Sequence, residues 1–340
     1  MKKINQKLKS KSTEISKPKK RFSRKFTLMV VLGVTVLVCA CLYAVVIYKS
    51  PSRATASIEL KPRTLEELLA LSEEDLGKVD IARMNLLCIT EVPTMKNLDM
   101  EKYVSTIDQW AEVVKAAEKK YLPAYYRNPA KYENSLAKFK AIYLVLSIQE
   151  DLKCGYNMEL IRSGAMRDIR SLRFFKDSRD LFLHGLVDRQ KGSCASLPVL
   201  VVALGRKCGY PLYLVTTKGH LFVRWDDGNE IFNIEVSTTG TDIYPDEHYH
   251  NWPFPTSEEE RKREKYLQNH TPHGEFGLFM HTRASYLQSN EHFSPARWSC
   301  MQALRVFPES VYLQRHYSEL QHLANLQVSR EMLMRVNEKK

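Results

Sequence analysis

Cys194, His220 and the pair Asn233 and Glu235 are the residues whose types and order could do chemistry. A cysteine thiolate is a strong nucleophile, and a histidine can move its proton at neutral pH. The run CASLPVLVVALGRKCG predicts a buried helix that opens at Cys194 and ends at Gly209. Pro198 falls in its opening turns, where a missing N–H costs least. Unpaired N–H groups and the helix dipole at that end favour an anion, so they would lower the thiol's pKa. His220 follows Gly219 at the start of a predicted strand, from which its imidazole could serve the thiol as general base and acid. Asn233 and Glu235 are two apart on the partner strand and so share a face. Either could hold the imidazole in its working orientation. Against this, a lone cysteine in an apolar helix is usually core, and a lone histidine on a strand is usually a satisfied structural residue.

The longer string RQKGSCASLPVLVVALGRKCGYPLYLVTTKGHLFVRWDDGNEIFNIE tips the balance. It resembles the core of the transglutaminase-like superfamily. The resemblance rests on Gly192 and Cys194 opening a helix, the Gly209-Tyr210-Pro211 step into a strand, Gly219-His220 starting the next, and Asn233 with Glu235 one hairpin later. It is densest from about Asp177 to Pro255 and is nearest to bacterial members with flanking helices and a tetratricopeptide-like tail. It implies an α+β, papain-like core, with the Cys-bearing helix packed on a small antiparallel sheet and helices on both sides. It also implies acyl transfer through a thioester, with Cys194 as nucleophile and His220 as base. The third position departs from the family's usual Asp, and Asn233 and Glu235 both stay open. The oxyanion hole would include the Cys194 N–H and a second donor that the sequence does not name. The expected function is a cysteine-dependent hydrolase or acyltransferase on protein or peptide amides. The alternative is an inactive fold kept as a protein-binding or envelope scaffold. No cofactor and no metal are expected.

The elements that must position these residues are mostly helical. A helix start is predicted at Thr64, and further helices over Met100 to Tyr121 and Pro129 to Leu152. Another is expected through Arg170 to Asp188, with Asp177 or Ser178 as its cap. His184 on that stretch reads as structural, with lining of the site as the other option. Strands are predicted at Pro211 to Thr216, His220 to Trp225 and Ile231 to Val236, the last two joined through Asp227-Gly228. Helices then follow over Glu258 to Gln268, His273 to Gln288, Ser294 to Phe307 and Val311 to Gln327. Ala296, Ala303 and Pro308 have the spacing of the second helix of a tetratricopeptide unit, although Cys300 stands where an aromatic is usual. Such a tail either closes the domain or presents a surface to a protein partner. His248-Tyr249-His250 beside Asp246 and Glu247 could hold a metal but is also an ordinary loop composition. The aromatic run Tyr249 to Pro255 is expected to pack over the core or rim a cleft.

The net charge of +12 suggests nucleic acid until it is located. Most of the excess lies before Phe26, and the remainder is close to neutral, so no nucleic-acid partner is expected. Phe26 to Tyr48 carries no charge and, as a helix, would reach roughly 35 Å, enough for a hydrocarbon core of roughly 30 Å. Lysines and arginines on its N-terminal side put that end in the cytoplasm and the rest across the cell membrane, in a periplasm. Ala54-Thr55-Ala56 as a signal-peptide cleavage site and Val38-Cys39-Ala40-Cys41 as an acylation site fit less well. The expected organisation is a basic tail 1–25, a transmembrane helix 26–48, a linker 49–62, a helical region 63–176, a transglutaminase-like core 177–256 and a helical tail 257–340. Expected partners are a protein or peptide substrate and the membrane.

Overall fold

In the computed structural model the helix Leu197–Lys207 lies at the centre, with every residue from Leu197 to Gly205 buried. Its sequence is apolar all round, and such a helix is stable only when neighbours cover every face. Helices Ile81–Leu87, Met100–Arg127, Leu136–Leu146 and Leu183–Arg189 cover part of it, and a sheet covers another part. The helix and sheet approach closely at Gly205, where a Cβ would stand 2.2 Å from Leu212 Cδ1.

The structure describes residues 58–93, 95, 98–164, 172–236 and 241–337. The basic tail, the apolar segment 26–48 and most of the linker lie outside them. Among the described residues no helix is long and apolar enough to cross a membrane. Residues 58–340 form one compact unit.

A short parallel pair comes first in the chain, β1 (Gly155–Tyr156) beside β2 (Lys191–Gly192). The main sheet is an antiparallel meander of β3 (Leu212–Thr217), β4 (His220–Asp226), β5 (Ile231–Glu235) and β6 (Asp242–Tyr244), in that order. Mixed helix and small antiparallel sheet is thus the observed class. The three long strands fall within a residue of their expected bounds, whereas β6, too short for any alternation to read, was not foreseen.

Several helices depart from expectation for local reasons. The Met100–Arg127 helix runs through Pro123 instead of stopping near it. Proline removes one N–H, but the turn beyond is held by Tyr125, whose ring lies 5.5 Å from that of Phe139. The expected helix from Pro129 to Leu152 is broken at Glu133 and Asn134, which both take positive φ, and its α part is Leu136–Leu146. The helix begun at Glu258 ends at Arg263. Beyond it the chain leaves helical geometry so that Leu267 N–H and His270 N–H can donate to Thr216 O and Leu214 O, at 2.9 and 3.0 Å. The outer edge of β3 thereby gains partners.

The C-terminal helices Pro272–Ser289, Phe293–Val306 and Val311–Asn337 pack in succession. Ala296, Cys300 and Ala303 are fully buried, on one helical face.

Candidate active site

Cys194 sits in the turn that leads into the Leu197–Lys207 helix, just ahead of the helix proper rather than in its first turn. Two serines fix that turn. Ser193 and Ser196 both donate their hydroxyls to the carbonyl of Asp180, at 2.7 and 2.8 Å. In return Ala195 N–H donates to Ser193 Oγ and Ser193 N–H to Ser196 Oγ, each at 3.0 Å. Gly192 is needed for this closeness, because a Cβ there would lie 2.4 Å from Ser196 Oγ and 2.9 Å from Leu186 Cδ2. The Asp180 carboxylate is itself held by Asn157 Nδ2 at 2.9 Å and by the Arg189 guanidinium.

His220 opens β4 with its side chain buried. Its Nε2 lies 2.8 Å from Glu235 Oε2, and both side chains are about 1% exposed. The same carboxylate accepts from Tyr249 Oη at 3.3 Å, and its Oε1 from Val236 N–H at 3.0 Å. The imidazole also interacts with the Cys194 side chain. With Nε2 committed to Glu235, Nδ1 is the nitrogen left for the thiol; it is buried and makes no other hydrogen bond. Burial alone would lower the imidazole's pKa, but the contacts with Cys194 and Glu235 overcome it and raise the pKa to about 9. Trp252 stands edge-on to the ring at 4.6 Å and shields it from water.

Asn233 is turned to other work. Its Oδ1 accepts from Arg224 Nε at 2.8 Å, and its Nδ2 donates to Tyr244 O at 3.1 Å and Asp246 Oδ1 at 2.8 Å. Sheet register decides between the two candidates. Arg224 pairs directly with Asn233, so in an antiparallel ladder the next same-face residue, Glu235, moves toward the His220 end of β4. The structure therefore brings Cys194, His220 and Glu235 together and gives Asn233 to Arg224.

Tyr156 joins this group without any announcement in the sequence. It pairs with Gly192 across β1 and β2, which sets it beside the turn that carries Cys194. Its phenol meets both the thiol and the main chain of Cys194, and burial together with the thiol raises its pKa. A main-chain N–H donating to that oxygen has the opposite, weaker effect. The only sequence signal available was a Gly-Tyr step in a two-residue strand, which no periodicity reveals.

The remaining candidates fall elsewhere. His184 is buried against Ser178 and Tyr103 and does not line the cavity at Cys194, and burial lowers its pKa to about 4. His248 stacks on Tyr244 at 4.2 Å, and Asp246 is engaged by Arg224. Among the described residues no group of three or more His, Cys, Asp or Glu is arranged to hold a metal ion. The aromatic run does rim a cleft: Pro253 and Phe254 line a cavity of about 260 Å³ that reaches Cys194 and His220.

Comparison with known families agrees with this geometry. Residues 170–273 match the transglutaminase-like superfamily, so the chain carries a transglutaminase-like domain there. That span includes Cys194, His220, Asn233 and Glu235, together with the aromatic run. Comparisons with curated proteins and with solved structures gave no match.

Proposed function

We propose that this protein is a cysteine-dependent acyl-transfer enzyme, a hydrolase or acyltransferase acting on protein or peptide amides. The observation that carries the reading is the buried His220–Glu235 pair beside Cys194, with Cys194 and His220 lining a cavity. In this reading the Cys194 thiolate attacks the amide carbonyl, and the oxyanion forms against the Cys194 N–H. The C–N bond then breaks as the His220 imidazolium gives its proton to the departing amine, leaving a thioester. Neutral His220 next takes a proton from water or an acceptor amine, which attacks the thioester and frees the thiol. Glu235 keeps the imidazole oriented and stabilises its charged form throughout.

The test is trapping of the acyl-enzyme. The full chain, incubated with a peptide library and quenched in acid, is expected to carry an acyl mass adduct on Cys194 that hydroxylamine removes. A Cys194→Ala chain should carry none. Absence of any adduct, with turnover equal in the two chains, would overturn the reading.

We further propose that residues 26–48 anchor the chain in a membrane with the enzyme domain outside the cytoplasm. The uncharged run and its basic N-terminal flank support this. Protection of the domain from external protease until the outer face is exposed is the expected result in spheroplast experiments; digestion only after lysis of the inner membrane would reverse the topology.

A further inference from the structure

We propose that the cavity beside Cys194 is an acyl pocket selective for a neutral, apolar group on the carbonyl side of the scissile bond. The inference rests on the acyl-transfer reading, and it adds a substrate class that the Cys–His–Glu arrangement does not supply. The cavity holds about 260 Å³, far more than the roughly 30 Å³ of a single water. Phe174 and Phe254 give it an aromatic lining. The C-terminal helical region lines it as well, through Leu278, Phe307 and Leu313. The tail thus closes the same cavity into which the thiol opens.

The charged side chains on the wall are already paired. Lys218 Nζ pairs with Glu260 Oε1 at 2.9 Å. The Glu264 carboxylate takes the Ser310 hydroxyl and, at 3.1 Å, the N–H of Val311. His270 bonds Thr216 Oγ1 at 3.1 Å, and burial lowers its pKa to about 4. His281 is lowered further, to about 3, by burial and by neighbouring His316. Both are therefore uncharged at neutral pH. Among the described residues lining the cavity, each charged group has a partner, so an entering charge would lose its water without gaining a counter-ion. An alkyl or aromatic group loses nothing and gains the burial of its apolar surface, about fourfold in affinity per methylene.

Binding and chemistry can be tested separately. In the full-length Cys194→Ala chain, calorimetry with N-methyl amides of acetic, butyric, hexanoic and succinic acids reads the pocket alone. Affinity is expected to rise about threefold to fourfold per methylene from acetyl to hexanoyl. The anionic succinyl amide should bind at least tenfold more weakly than the butyryl amide of equal chain length. Leu278→Ala, introduced into the same chain, is expected to flatten the rise at the longer members. A flat series, or equal binding of the succinyl amide, overturns the pocket whether or not that variant folds. Wild-type chain treated with the matching p-nitrophenyl esters reads the chemistry, by mass adducts on Cys194. A graded binding series without any adduct supports the pocket and overturns the catalytic reading instead.

Discussion

His220 Nε2 and Glu235 Oε2 stand 2.8 Å apart with both side chains about 1% exposed, a carboxylate and an imidazole sealed from water. A buried charge is tolerable only with a partner, and here each supplies the other's. The imidazole's pKa rises from an ordinary 6.5 to about 9 despite burial, so it is the charged form that the folded state prefers.

Glu235→Gln removes the negative partner while keeping the shape. The imidazole's pKa should then fall, and the alkaline limb of the pH profile for Cys194 alkylation, expected near pH 9, should move acidward by a unit or more. The sign for stability follows from the same shift. A raised folded-state pKa contributes stability that is full below the unfolded value of 6.5 and is lost as pH rises through about 9. Urea titrations should therefore show wild type exceeding Glu235→Gln most clearly near pH 6 and much less near pH 10. An unchanged alkaline limb in the variant would mean that Glu235 does not govern the imidazole.

Reactivity among the cysteines of residues 58–340 should be confined to one. Burial pushes Cys88, Cys154 and Cys300 up to about 12 and Cys208 to about 11. Only the thiolate reacts, so at pH 7 these four present almost no nucleophile. Cys194 has an imidazole beside it and a cavity in front of it. Substoichiometric iodoacetamide at pH 7, followed by peptide mapping, is expected to label Cys194 at least tenfold faster than any of the four. His220→Ala should abolish that preference. Equal labelling of Cys194 and Cys208 would remove the case for activation.

The sequence marked Cys194, His220 and the order of three strands, because each leaves a local mark. Cys194 precedes an unbroken apolar run, and His220 follows a turn glycine. The choice between Asn233 and Glu235 was not local: both lie on one face, and only the pairing of Arg224 with Asn233 shows which of them faces the histidine. The extension of the Met100–Arg127 helix past Pro123 was hidden for a similar reason, since the rings that hold it come from another segment. Tyr156 was out of reach altogether, being brought to Cys194 by a two-residue parallel pairing between distant parts of the chain.

Under the proposed acyl-transfer reading, Tyr156 is the candidate for the second oxyanion donor that the sequence does not name. Its hydroxyl meets the thiol and the main chain of Cys194. Removal of one such donor typically costs about 100-fold or more in turnover. Tyr156→Phe keeps the ring and its packing, so the expected result is a fall in kcat of that order with KM changed less than threefold. Stopped-flow acylation by an activated ester measures both. A fall in KM-dependent binding with kcat intact would assign Tyr156 to substrate packing instead.

Asn233 offers the contrasting case. Arg224 is buried, and its Nε donates to Asn233 Oδ1 at 2.8 Å, while Asn233 Nδ2 satisfies Tyr244 O and Asp246 Oδ1. Asn233→Ala deletes all three bonds and orphans a buried guanidinium N–H and a strand carbonyl. Unpaired buried groups cost about 1 to 3 kcal/mol each, so a loss of about 2 to 4 kcal/mol in unfolding free energy is expected by urea titration. The imidazole keeps Glu235, and so the alkaline limb of Cys194 alkylation should stay near pH 9 in the folded variant. Stability and reactivity thus separate at this position, whereas at Glu235 they change together. A folded Asn233→Ala chain whose alkaline limb shifted acidward would show that the amide, and not only the carboxylate, sets the histidine.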